Sequence, residues 1–399
     1  MSATKDLPEN LKHSKKSGQL ANTIAYFAAT MVIGLSAASL GPTLPGLAAN
    51  TRTNLGEISF LFTARSLGTL LGSVLGGRLY DRSPGNPVLA GVLLVMAIML
   101  GLIPTIPLLW MLTLILLILG FAEGMADVGG NAMLIWVHGK RVGPFLNGLH
   151  FFFGVGAFFS PIIVAQALLL SGDIRWAYWL LSLLILPVIF WMMRQPSPTP
   201  QTAKKDGEGK EVNPHLVFLV SLFLFLYVGA EVSFGGWIFT YATRLELSAA
   251  AAAAYLTSAF WGGLTLGRLA SIPIAVRYRP RTILLVDLFG CLFSLGVILA
   301  WRDSLAAVWV GTIGIGLSMA SIFPTALSLA ERRMILTGRV TGWFFVGSSA
   351  GAMLLPWLVG QLFEPIGPQI LVYLLIFDLL AALLVFSVLI LYSSRPIIK

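Results

Sequence analysis

The sequence predicts an all-α membrane protein with twelve transmembrane helices in two pseudo-symmetric six-helix bundles. Three observations predict it. The 399 residues are 57% hydrophobic and only 11% charged, with mean hydropathy +0.86, whereas a soluble domain carries about 25% charged residues. Twelve apolar stretches are each long enough for a bilayer core of roughly 30 Å, which takes about 20 helical residues. Landmarks also recur at an offset of 195 residues: Gly34 and Gly229, Gly41 and Gly236, Gly68 and Gly263, Gly72 and Gly267, Arg82 and Arg277, Gly143 and Gly338, Gly156 and Gly351, Pro161 and Pro356, Gln166 and Gln361. A long apolar chain duplicated in this way reads as a transporter built from two similar halves.

The spans fall near 21–48, 57–79, 86–106, 109–137, 144–170, 174–194, 215–241, 248–276, 281–301, 304–330, 340–362 and 368–392. They group as a first bundle in residues 1–194, a polar linker in 195–214 and a second bundle in 215–399. The linker is marked by Pro196, Pro198 and Pro200 followed by a mixed-charge run, and reads as flexible. The net charge is +9, yet its placement argues for a membrane rather than nucleic acid. Of the 26 Lys and Arg residues, 20 lie at the termini or in alternate gaps, from Lys12, Lys15 and Lys16 through Lys140 and Arg141 to Arg395 and Lys399. The positive-inside rule then places both termini in the cytoplasm of a plasma or bacterial inner membrane. Cys291 is the single cysteine, so no intrachain disulfide forms. The first apolar stretch is too long for a signal-peptide core and is expected to remain as a helix. A monomer with a small-molecule substrate, the lipid bilayer and no nucleic acid as partners is expected.

Taken in order, the spans differ in what they carry. The second holds Arg65 and the small-residue row Gly68, Gly72 and Gly76, spaced for close helix approach. The loop after it reads Gly77-Arg78-Leu79-Tyr80-Asp81-Arg82-Ser83-Pro84-Gly85-Asn86. The fourth places Glu123, Asp127 and Asn131 four residues apart, on one face. Arg65 and Glu123 sit at similar depth, which predicts a structural ion pair and leaves Asp127 as the freer carboxylate. The fifth opens with His150, about two turns inside the membrane, as a substrate ligand, a proton relay or a packed core histidine. The seventh carries Glu231 with no basic residue in its own span, then Trp237 nearly two turns on. Such a carboxylate exchanges a proton, ligates sodium or bonds a hydroxylated substrate, and ionisable groups inside spans default to function. Trp237 suits a sugar ring and, equally, an interfacial anchor. The eighth contains Arg268, and the tenth shows no convincing register with the fourth. In the eleventh, Gly347-Ser348-Ser349-Ala350-Gly351 matches the hydrolase Gly-x-Ser-x-Gly pattern, but no His follows it in the chain. A nucleophile elbow also needs a strand before the serine. No zinc spacing and no phosphate-binding loop appear, so no cofactor is expected beyond a coupling proton or sodium ion.

The loop after the second span resembles the signature of the major facilitator superfamily, Gly-x-Leu-Ala-Asp-Arg-x-Gly-Arg-Lys/Arg. Gly77, Asp81 and Arg82 match in place, Gly85 stands one position after the signature's glycine, and Asn86 and Pro87 follow it where the signature has basic residues. The resemblance implies a cytoplasmic gating loop, in which a carboxylate and a guanidinium form a breakable latch. Asp127-Val-Gly-Gly-Asn131, Leu149-His150-Phe-Phe-Phe-Gly154 and Glu231-Val-Ser-Phe-Gly-Gly-Trp237 are similar to the sugar-transporting branch that includes the fucose permeases and the sodium-dependent glucose transporter 1-like proteins. Fucose permeases continue with Pro after the Asn, where Ala132 stands here, which points away from fucose. What the branch implies is a secondary transporter rather than an enzyme. It would move a hexose-like solute coupled to protons or sodium and hold it on Asp127, Asn131, His150, Glu231 and Trp237. Asp127 or Glu231 would be the ion-coupling site. The alternative is a proton-driven exporter of drugs or metabolites.

Overall fold

The structure, a computed structural model, describes residues 9–199, 213–334 and 337–393. The middle of the predicted linker and Lys5, Lys204, Lys205, Lys210, Arg395 and Lys399 lie outside the described residues, as do the side chains of Lys12, Lys15, Lys16 and Lys140. Among the described residues, twelve helices are long and apolar enough to cross a membrane. They are Gly18–Ala37, Leu55–Tyr80, Gly85–Thr105, Leu109–His138, Gly143–Ser171, Arg175–Met193, Pro214–Arg244, Ala250–Arg277, Pro280–Ala300, Leu305–Glu331, Gly338–Ile366 and Ile370–Tyr392, hereafter spans 1 to 12. The face that carries Gly18 and Tyr392 is the terminal side; the opposite face is the distal side. Leu170, Val276, Phe293 and Phe377 are 73% to 86% exposed on the outer faces. A water-soluble surface does not present such a band, whereas lipid solvates it.

Prolines decide where the helices break. Span 1 stops at Ala37 and resumes, after two turn residues, as Leu40–Thr51. Pro42 has no N–H to give the Ala38 carbonyl four residues back. Span 10 is interrupted between Met319 and Ile322, where Pro324 stands in the same relation to Ala320. The repeat partners of these prolines are Trp237 and Gly129, and spans 7 and 4 run unbroken. The missing register between spans 4 and 10 thus has a structural counterpart: one is continuous and the other is not.

The helix pairing follows the repeat. Spans 1 and 5, 2 and 4, and 3 and 6 pack in the first half; spans 7 and 11, 8 and 10, and 9 and 12 pack in the second. Each pair is the image of another under the 195-residue offset. Across the halves, span 5 meets span 8 and span 2 meets span 11, again as images, with Leu40–Thr51 against span 7. The duplicated glycines occupy equivalent contacts. A Cβ on Gly156 would overlap the Met31 carbonyl, and one on Gly351 would overlap the Phe225 carbonyl, so both helix pairs touch backbone to backbone.

Hydrogen bonds join the halves on the distal side. Gln361 donates to the Gly56 carbonyl at 2.7 Å, Thr63 to the Met353 carbonyl at 3.0 Å, and the Leu55 N–H to Glu364 at 3.2 Å. Gln166, the repeat partner of Gln361, donates to the Tyr255 hydroxyl at 2.6 Å. On the terminal side, the start of the linker is tied down. Buried Asn86 donates to Asn22, at 3.2 Å, and to the carbonyls of Gln195 and Pro196, at 3.1 and 3.2 Å. It accepts from the Tyr26 hydroxyl at 2.8 Å, and its N–H meets Ser197 at 3.1 Å. Residues 195–197, expected as free linker, are therefore fastened to spans 1 and 3. The amide that departs from the loop signature does the fastening.

Candidate functional site

Helix register positions the polar groups at membrane depth. In the first half, Arg65 and Glu123 form a bidentate pair, with the Nε–Oε2 distance 2.9 Å. The guanidinium also donates to the Ala37 carbonyl at 3.0 Å, and Ser36 donates to Glu123. Ala37 lies at the break in span 1, so the pair also satisfies a carbonyl that the break frees. This cluster is largely buried, and both carboxylate oxygens of Glu123 and all three guanidinium nitrogens of Arg65 are bonded within the protein.

One turn further along span 4, Asp127 is only partly buried and enters no ion pair among the described residues. Its one side-chain partner is Asn131, whose amide donates to the Asp127 carbonyl at 2.9 Å and its carboxylate at 3.3 Å. Asp127 lies about 5 Å to the terminal side of the middle of span 4, at 1.5 Å per residue.

The second group comes from both halves. Spans 5 and 8 run antiparallel, and their contacts form a ladder. Gln166 meets Tyr255, Phe158 packs on Gly262, and Thr265 fills the space over Gly154. One turn nearer the terminal side, the ladder brings His150 level with Arg268. His150 is exposed although it lies about 10 Å inside span 5. The Arg268 charge acts on His150 and on the Tyr227 phenol. In span 7, Tyr227 donates to Glu231 one turn on and to the Met319 carbonyl at 3.0 Å, at the end of the first segment of span 10. His150, Arg268, Tyr227 and Glu231 thus converge from spans 5, 8 and 7.

Trp237 stands elsewhere. It is wholly buried, its indole N–H donates to the Pro356 carbonyl at 2.9 Å, and its ring stacks on Phe363 at 5.1 Å between centroids. It packs spans 7 and 11 together near the distal seal. Asp81 and Arg82 are exposed in the loop after span 2 and enter no ion pair among the described residues, and Gly77 has open space at its Cβ position.

Four polar groups stand outside the set predicted from sequence. Arg268 and Tyr227 belong with His150 and Glu231. Asp287 accepts from Ser321 at the break in span 10. Asp378 is buried in span 12 with one carboxylate oxygen unbonded among the described residues. The rule that an ionisable residue inside a span is functional by default would have found the three charged ones. For Tyr227 the only signal is its place one turn before Glu231.

Comparison with known proteins follows the same lines. A profile of the Major Facilitator Superfamily matches residues 26–356. Sodium-dependent glucose transporter 1 of Xenopus laevis is 32% identical over 82% of this chain and 73% of its own length. The Homo sapiens protein of that name is 30% identical over 83% and 71%. Among solved structures, the nucleoside transporter NupG superposes with a TM-score of 0.76, covering 93% of this chain and 99% of that one, at 13% identity, a likeness of fold alone. Twelve apolar helices, paired as two images of one bundle and matched by the family profile over most of their length, place this chain in the major facilitator superfamily of membrane transporters.

Proposed function

We propose that this transporter moves a small hydroxylated solute, a hexose or related sugar, by alternating access coupled to a proton or sodium gradient. The observation that carries the reading is a convergence at mid-depth: His150 of the first half stands level with Arg268 of the second, beside Tyr227 and Glu231. Among the described residues, the hydrogen bonds that join the halves lie on the distal side. The lysine and arginine distribution makes the terminal side cytoplasmic, so this conformation opens inward in a cell membrane, with both termini inside. Asp127 and Asn131 offer acceptors and donors for hydroxyl groups from one half, and His150 adds a ring nitrogen. Glu231 of the other half is the coupling carboxylate, held by Tyr227 until a cation or proton replaces that bond. Trp237 seals the distal side and opens when the halves rock. The names of the relatives support both the sugar and the cation.

Uptake of labelled hexoses into proteoliposomes under imposed sodium or proton gradients tests the reading. One sugar is expected to accumulate under one of the two gradients. Glu231→Gln and Asp127→Asn should each abolish accumulation, and one of them should retain exchange. Normal accumulation by both variants would remove these residues from the mechanism. A panel with no gradient-driven sugar flux would overturn the sugar assignment itself.

A further inference from the structure

We propose that Arg268, facing His150 across the two halves, is a binding site for a carboxylate group on the solute, so that the sugars carried include sugar acids. This rests on the sugar reading above and narrows it. Arg268 lies about 7 Å to the terminal side of the middle of span 8. Among the described residues its guanidinium has neither a hydrogen bond nor an ion pair, and the side chain is partly exposed. An arginine at this depth is costly and is normally paired or turned to a water-filled path. The contrast within the molecule is direct, since Arg65 spends its donors on Glu123, Ala37 and Ser36. The carboxylate near Arg268, that of Glu231, is already engaged by Tyr227. Its other neighbour, His150, supplies nitrogen and no negative charge.

The Arg268 guanidinium therefore presents a planar fork of donors that no protein acceptor engages among the described residues. A carboxylate matches that fork in two parallel bonds, which a hydroxyl cannot do. Position adds a consequence. His150 belongs to the first half and Arg268 to the second, on the two spans that cross at Gly154 and Thr265. An anion held between them draws the terminal ends of spans 5 and 8 together, the motion that closes the two halves on the terminal side.

The test uses the full chain in lipid nanodiscs and three probes: glucuronate, its neutral amide glucuronamide, and glucose. Glucuronate is expected to bind at least about tenfold more tightly than glucuronamide, since only the charge differs. Arg268→Gln should remove that difference; Arg268→Lys should restore part of it, as a point charge without the fork. Equal binding of acid and amide by the unsubstituted protein, or an equal loss of all three probes in Arg268→Gln, would overturn the proposal while leaving the sugar reading in place. Protection by chloride alone, with no sugar acid bound, would overturn it too. Failure of all three probes would sink the sugar reading along with it.

Discussion

Spans 2 and 4 in the first half and spans 8 and 10 in the second are images of each other, yet they are assembled to different ends. In the first pair, a Cβ on Gly68, Gly72, Gly120 or Gly124 would overlap a backbone carbonyl of the facing helix. The buried Arg65–Glu123 pair crosses the same interface. In the second pair the fit is uneven: a Cβ on Gly316 would overlap the Phe260 carbonyl, one on Gly267 would stand 2.8 Å from that of Leu317 and one on Gly263 3.0 Å from that of Ile313, and span 10 is broken at its middle. The repeat partners of Arg65 and Glu123 are Phe260 and Ser318, so no charge crosses there. The charged groups of the second half, Arg268 and Glu231, gather instead with His150 and Tyr227. A duplicated scaffold has thus been divided into a clamp and a joint. The clamp spends its polar groups on itself, and the joint leaves them for a ligand.

The largest effect is expected where the clamp is charged. Glu123→Gln removes the partner of a buried guanidinium, and breaking such a pair costs about 3–5 kcal/mol. The thermal midpoint of the purified protein should fall steeply, whereas Ser318→Ala, at the image position, should barely move it. The double change Arg65→Met with Glu123→Leu should cost less than Glu123→Gln alone, because no charge is left unpaired. Equal midpoints for Glu123→Gln and Ser318→Ala would erase the distinction between the two interfaces.

Glycine substitutions sharpen the same comparison at a smaller scale. Gly72→Ala forces a methyl group onto the Phe121 carbonyl and should cost about 1–3 kcal/mol, the usual range for overpacking. At Gly263 the neighbour needs to give by only a few tenths of an ångström, so Gly263→Ala should cost under about 1 kcal/mol. Unfolding midpoints measured side by side check the order. A larger loss at Gly263 would mean that the second interface is the tighter one.

How much of this was legible beforehand follows from where the physics is local. The twelve spans are set by hydropathy over about 20 residues, and the Arg65–Glu123 pair by depth along two helices, so both could be read directly. The glycine echo gave the pairing of halves because close approach depends on residue size alone. Trp237 could not be placed, since a tryptophan reads alike as a sugar platform and as packing until its neighbours Phe363 and Pro356 are known. Arg268 stood in plain view as a charge inside a span. Its closeness to His150 depends on the crossing of spans 5 and 8, which no local pattern encodes. Asn86 was legible only as a departure from a loop signature, and its bonds to residues 195–197 are long-range.

The smallest effect on stability, and the most informative about the joint, is expected at Pro324. In Pro324→Ala the restored N–H can bond the Ala320 carbonyl and let span 10 run straight, as span 4 does through Gly129. The gain in stability should stay within about 1 kcal/mol. Straightening pulls at two contacts that hang on the break, Tyr227 on the Met319 carbonyl and Ser321 on Asp287. The first of these also holds the tyrosine that binds Glu231. A variant with an unchanged or slightly higher unfolding midpoint and an initial uptake rate lower by at least about threefold would show that the break serves motion rather than folding. Gly263→Ala, in the facing helix, should leave the rate near that of the unsubstituted protein. If Pro324→Ala transports at full rate, the break in span 10 is a packing feature, and the contrast between clamp and joint rests on charge alone.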